Sequence, residues 1–192
     1  MALSTMNKTI LNILIVAALA LLIISCEDPT SDESNDIQIT TLIYHLVPKG
    51  TRDTVSLEYQ DLDGEGGEDP IIKNRKLDTN IEYFGYIELL DENHPNPEKP
   101  HERVDNNTST YQFFYELSDT SNHDISYIDS DPTGFPVGLT TVFLSGSGNT
   151  ERLNIRLYEE LDKSASGPDY ADTTSIGGKR VFKAELLIRL KD

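Results

Sequence analysis

From residue 37 onward the chain is patterned by short alternations of apolar and polar positions, with period two rather than the helical period. Ile37 to Val47 is rich in β-branched residues and stops at Pro48-Lys49-Gly50, a turn signal. Val55, Leu57 and Tyr59 alternate with Ser56 and Glu58, as a strand with one wetted face should. Ile81 to Leu90 and Tyr111 to Tyr115 are aromatic-rich strand segments, the second expected to be central. Val137 to Leu144 runs into Ser145-Gly146-Ser147-Gly148-Asn149-Thr150 and resumes at Leu153, Ile155 and Leu157, which predicts a hairpin. Val181 to Leu190 predicts a closing strand. No amphipathic helix and no strand–helix alternation is visible, so seven or eight strands predict an all-β fold. The expectation is a single antiparallel β-sandwich, immunoglobulin-like, over residues 37–192.

The first 36 residues break this pattern. Lys8 precedes an apolar run from Ile10 to Ile24, and Ser25 is followed by Cys26, the one cysteine of the chain. Such a run is short for a membrane span, which needs about 20 residues. Leu22-Ile23-Ile24-Ser25-Cys26 resembles the lipobox of bacterial lipoproteins. That resemblance implies a signal peptide over 1–25, cleavage before Cys26 and lipidation of its sulfur, with the membrane as partner through the lipid anchor. The alternative is an uncleaved N-terminal anchor. Residues 27–36, EDPTSDESND, hold no apolar side chain and read as an acidic tether joined to the acylated Cys26. An acidic stretch after the lipidated cysteine resembles the surface-export signal of Bacteroidota lipoproteins. It implies an outer-membrane lipoprotein that is surface-exposed rather than periplasm-facing.

Charge narrows the partners. The 192 residues carry 33 acids against 16 Lys and Arg, a formal charge of −17. Nucleic acid and anionic headgroups are repelled by such a chain, and cations are attracted. With Cys26 lipidated, no thiol remains for a disulfide or a thiolate metal site.

Two segments could hold a divalent cation, calcium or a transition metal. Asp61-Leu62-Asp63-Gly64-Glu65-Gly66-Gly67-Glu68-Asp69 gathers five carboxylates around three glycines, and Ca²⁺ wants six to eight hard oxygens. Asp61, Asp63 and Glu65 occupy the first, third and fifth positions of an EF-hand-like opening, with Gly66 at the sixth. The twelfth position is Ile72, so the segment is not an EF-hand; a solvated turn is the competing reading. His94, Glu98, His101 and Glu102 form the weaker candidate, offering imidazole and carboxylate ligands in a proline-rich loop. Its competing reading is a polar surface loop. No nucleophile elbow, zinc-protease helix, phosphate loop or dinucleotide fingerprint is present, so the chain is expected not to be an enzyme.

Several stretches together resemble a group of small lipoproteins of Flavobacteria and relatives. They are Asp61 to Gly67, Ile87-Glu88-Leu89-Leu90, Gln112-Phe113-Phe114-Tyr115, Pro136-Val137-Gly138-Leu139 and Lys163-Ser164-Ala165-Ser166-Gly167. Such proteins tend to be encoded beside TonB-dependent receptors. The resemblance therefore implies an accessory to TonB-dependent uptake of a nutrient, with an outer-membrane TonB-dependent receptor as partner; taken with the net charge and the Asp61–Asp69 loop, the expected cargo is a metal ion or metal complex. A structural or adhesive surface module without a small ligand is the alternative. The type 1 periplasmic-binding fold ascribed to such proteins would need more residues and alternating helices than this chain has.

Overall fold

The computed structural model describes residues 38–118, 122–148, 150–165 and 177–191. The expected signal 1–25, Cys26 and the tether 27–36 lie outside the described residues. In chain order the elements are β1 (Thr41–Pro48), β2 (Val55–Gln60), β3 (Ile71–Asn74), β4 (Lys76–Leu77) and β5 (Glu82–Leu90). There follow α1 (Lys99–Asn106), β6 (Gln112–Leu117), β7 (Asp124–Tyr127), β8 (Thr140–Leu144), β9 (Glu151–Glu159), a 3-10 turn at Lys163–Ala165 and β10 (Lys179–Leu190). One sheet has the order β3-β2-β1-β5-β8-β7 and the other β4-β10-β9-β6.

The alternation read from the sequence puts one side of every long strand inside. Leu42, Tyr44 and Leu46 of β1 and Leu57 and Tyr59 of β2 face Phe113 of β6, Leu153, Ile155 and Leu157 of β9, and Leu186 and Ile188 of β10. Burying such a face against a second sheet is what makes a sandwich stable. Gly85, inward-facing in β5, has a definite reason to be glycine. A Cβ there would lie 2.6 Å from both the Tyr44 and the Thr141 hydroxyl oxygens, which are 2.7 Å apart in the core.

Both open sides of the sandwich are stitched. On one side the chain passes from β3 in the larger sheet directly into β4 in the smaller one. On the other, the Val137 carbonyl accepts the Phe113 N–H of β6 at 2.7 Å, and the Leu139 carbonyl accepts the Ile87 N–H of β5 at 2.9 Å. Tyr127 adds a hydroxyl bond to the Phe113 carbonyl, and Tyr115 one to the Gly138 carbonyl. Burial raises the Tyr127 phenol to about 12 and lifts that of Tyr115 well above its ordinary value. These phenols are therefore donors at every physiological pH.

Several expectations are corrected. Ten strands are present among the described residues, more than seven or eight, because β3, β4 and β7 are too short to show a period. The sandwich is antiparallel except where β4 pairs with β10 in parallel, Arg189 opposite Lys76. Strand β6 lies at the edge of its sheet rather than centrally; the 136–139 segment covers it. The predicted hairpin does not form: β8 pairs with β5 and β7, while β9 pairs with β6 and β10. The chain instead passes from one sheet to the other between β8 and β9. Finally, α1 occupies part of the proline-rich loop, with Pro100 in its first turn and Pro100 and Val104 buried.

Candidate functional site

The acidic loop joins β2 to β3, and two of its five carboxylates are taken up by the loop's own amides. Asp61 Oδ1 accepts the Gly64 N–H at 2.9 Å, and Asp63 Oδ2 accepts the Glu68 N–H at 2.9 Å. The hydrogen bond from Glu68 holds the Asp63 carboxyl below its ordinary range. Gly64 and Gly66 adopt φ of 81° and 98°, which folds the backbone back and permits these short-range bonds. Glu65 pairs with Arg180 at the start of β10 at 3.2 Å, and Tyr59 donates to Asp61 at 3.4 Å. Between this loop and β10 lies a cleft of about 260 Å³ that includes Arg180 and Lys183. Glu68 and Asp69 are exposed beyond it.

The histidine segment is divided between a turn and the helix. His94 Nδ1 accepts the Asn96 N–H at 3.0 Å, which closes a local turn. Glu98 precedes α1 and its carbonyl accepts the Glu102 N–H at 3.1 Å, while His101 lies on the helix, half-buried. Among the described residues no three His, Cys, Asp or Glu side chains are placed to hold one metal ion.

The other two histidines have partners of their own. His45 projects from the outer face of the larger sheet, bonded to Ser56 at 3.0 Å and Glu88 at 2.8 Å and stacked on Tyr86. His123 is buried; its Nδ1 accepts the Gly146 N–H at 3.0 Å, which leaves the proton on Nε2, 3.9 Å from Glu151.

Charge is sorted between the two outer faces, a feature that the sequence reading missed. Strand parity places Lys76, Arg152, Arg156, Lys183 and Arg189 on the outside of the smaller sheet, against Glu116 and Glu185. Outside the larger sheet lie Glu58, Glu82, Glu88 and Asp124 with Lys73 and His45. Phe84 and Leu144 are also exposed there. A chain with twice as many acids as bases thus presents one basic face. The signal was available in part, as the run Lys73-Asn74-Arg75-Lys76, but its companions on β9 and β10 are remote in sequence.

No protein-family model, no curated protein and no solved structure matches the chain.

Proposed function

We propose that this chain is a lipid-anchored binding protein of the cell envelope, an immunoglobulin-like sandwich tethered to the outer membrane through acylated Cys26 and displayed at the cell surface. The observation that carries the reading is the sorting of charge: a basic face on so acidic a protein favours a partner or ligand of complementary sign. A role beside a TonB-dependent receptor is supported by the resemblance of the stretches from Asp61 to Gly167. In full-length protein, Cys26→Ser is expected to abolish acyl labelling and to release the chain from the membrane fraction. Retention of the unlabelled variant in the membrane would identify an uncleaved anchor and overturn the lipid-anchor reading.

A second reading assigns a divalent cation to Asp61, Asp63, Glu65, Glu68 and Asp69, favoured by the left-handed Gly64 and Gly66 that bring these carboxylates into one turn. It requires the cation to displace the backbone bonds of Asp61 and Asp63. A cation bound only by the folded state at 100 times its dissociation constant would add about 2.7 kcal/mol. The expected result under this reading is a thermal melt raised by several degrees with Ca²⁺, Zn²⁺, Mn²⁺ or Fe²⁺ after chelation. An unchanged melt with all four rejects it.

A further inference from the structure

At the end of the sandwich remote from the acidic loop, the β3–β4 step and the end of β10 enclose a cleft of about 660 Å³. That volume is within the roughly 300–1,000 Å³ range of small-ligand sites. Its chemistry is mixed. Arg75 and Arg189 line it, 114 residues apart in sequence and brought together by the parallel β4–β10 pairing. Both are exposed, and among the described residues neither guanidinium meets a carboxylate. Lys73 neutralises Glu58 at 2.6 Å, so the two arginines give the cleft a net positive charge.

The rest of the lining is uncharged and suited to hydroxyls. Thr54 offers an exposed hydroxyl, and Asn74 also lines the cleft, its Oδ1 buried and without a hydrogen-bond partner among the described residues. Ile72, 40% exposed, supplies an apolar wall. Guanidiniums recognise carboxylate and phosphate by paired N–H bonds.

We propose that this cleft binds a monosaccharide-sized, hydroxylated anion, a sugar carrying a carboxylate or a phosphate, with Arg75 and Arg189 on the anion and Thr54 on a hydroxyl. The proposal rests on the binding-protein reading but is tested separately from the anchor. If Cys26 is acylated and the titrations below fail, only the cleft assignment falls.

The test is calorimetric titration of the full chain in detergent with glucuronate, glucose 6-phosphate, glucose and inorganic phosphate. One of the two sugar anions is expected to bind at least about tenfold more tightly than glucose, a difference that single charge-assisted contacts supply. Glucuronate winning selects the carboxylate, and glucose 6-phosphate winning selects the phosphate. Arg75→Gln and Arg189→Gln are each expected to weaken that binding about tenfold, and Lys183→Gln, in the other cleft, to leave it unchanged. All three positions are exposed, so a matching melting curve separates lost binding from lost folding. Sugar anions binding no better than glucose, or binding the arginine variants as they bind the parent, overturns the proposal. Inorganic phosphate binding as tightly as the better sugar anion overturns the sugar component.

Discussion

Asp131→Ala is expected to destabilise the domain by about 3–5 kcal/mol, the cost of stranding one member of a buried ion pair. Lys163 and Asp131 meet at 3.3 Å with their side chains almost wholly buried. Lys163 Nζ also donates to the Thr108 carbonyl at 2.7 Å and the Pro136 carbonyl at 2.9 Å. It thereby ties the exit of α1, the covering segment of β6 and the 3-10 turn into one unit. Lys163→Met is expected to cost less, because Asp131 Oδ1 keeps its bonds from the Thr133 N–H, the Thr133 hydroxyl and the Phe135 N–H. The Asp131→Ala, Lys163→Met double variant should be more stable than Asp131→Ala alone, since no buried ammonium is left without a counter-charge. Urea denaturation of the four proteins measures the coupling; strictly additive losses would show that the pair is not formed.

The two partners shift in ways that explain this asymmetry. Burial pushes the Lys163 ammonium down, and the Asp131 charge offsets that only in part. At Asp131 burial acts to raise the carboxyl, but the bonds from Thr133 and Phe135 and the Lys163 charge outweigh it and hold it below the ordinary range. The lysine is the member that loses by burial, so the contact fixes an arrangement more than it adds stability. A carboxyl with a lower pKa folded than unfolded contributes stability that is complete above the unfolded value, near about 3.9. That contribution is lost as pH falls through the folded value. The urea midpoint should therefore drop below about pH 4, with a shallower drop in Asp131→Asn.

How much of this could be read from the chain depends on the range of the interaction. Leu42, Tyr44 and Leu46 declare their shared face by period two, and so do Leu57 and Tyr59, because the pleat alone decides it. Partner choice is a different matter. Phe143 and Leu153 alternate as members of a hairpin would, yet they belong to different sheets. In α1 only Pro100 and Val104 are buried, so eight residues contain too little apolar stripe to reveal a helix, although Pro100 marks its start. The acidic loop is legible as a tight turn. Its carboxylates bonding its own amides is a matter of geometry that composition does not decide. Lys163 reads as a solvated loop residue, because the acid that buries it lies 32 positions away. The basic cleft requires knowledge that Lys76 of β4 runs beside Arg189 of β10.

Gly146→Ala is expected to be the second most damaging change, at about 3 kcal/mol, the upper part of the overpacking range. This glycine follows β8, where the chain leaves the larger sheet for the smaller one. A Cβ at Gly146 would overlap the Asn122 backbone carbonyl, which cannot swing aside as an exposed side chain can. Nor is the glycine free to retreat. Its N–H is bonded to His123 Nδ1 at 3.0 Å, and its carbonyl accepts the Asn80 N–H at 3.2 Å. The preceding Ser145 is held too: its hydroxyl donates to the Asp78 carbonyl at 2.7 Å and accepts the Ile81 N–H at 2.9 Å. Relief of the overlap must therefore break a buried bond to His123 or open the Asn80 turn, and either loss compounds the steric one. Gly67→Ala is the matched comparison, since there the atoms nearest the added Cβ belong to the Asp63 side chain in an exposed loop. A change that such a side chain can absorb should cost well under the Gly146 value, about 1 kcal/mol or less. Comparable urea midpoints for the two variants would mean that the crossover is not packed against Asn122. A large loss at Gly146 alone would establish that a tight backbone contact, rather than hairpin pairing, is what the glycine at this position serves.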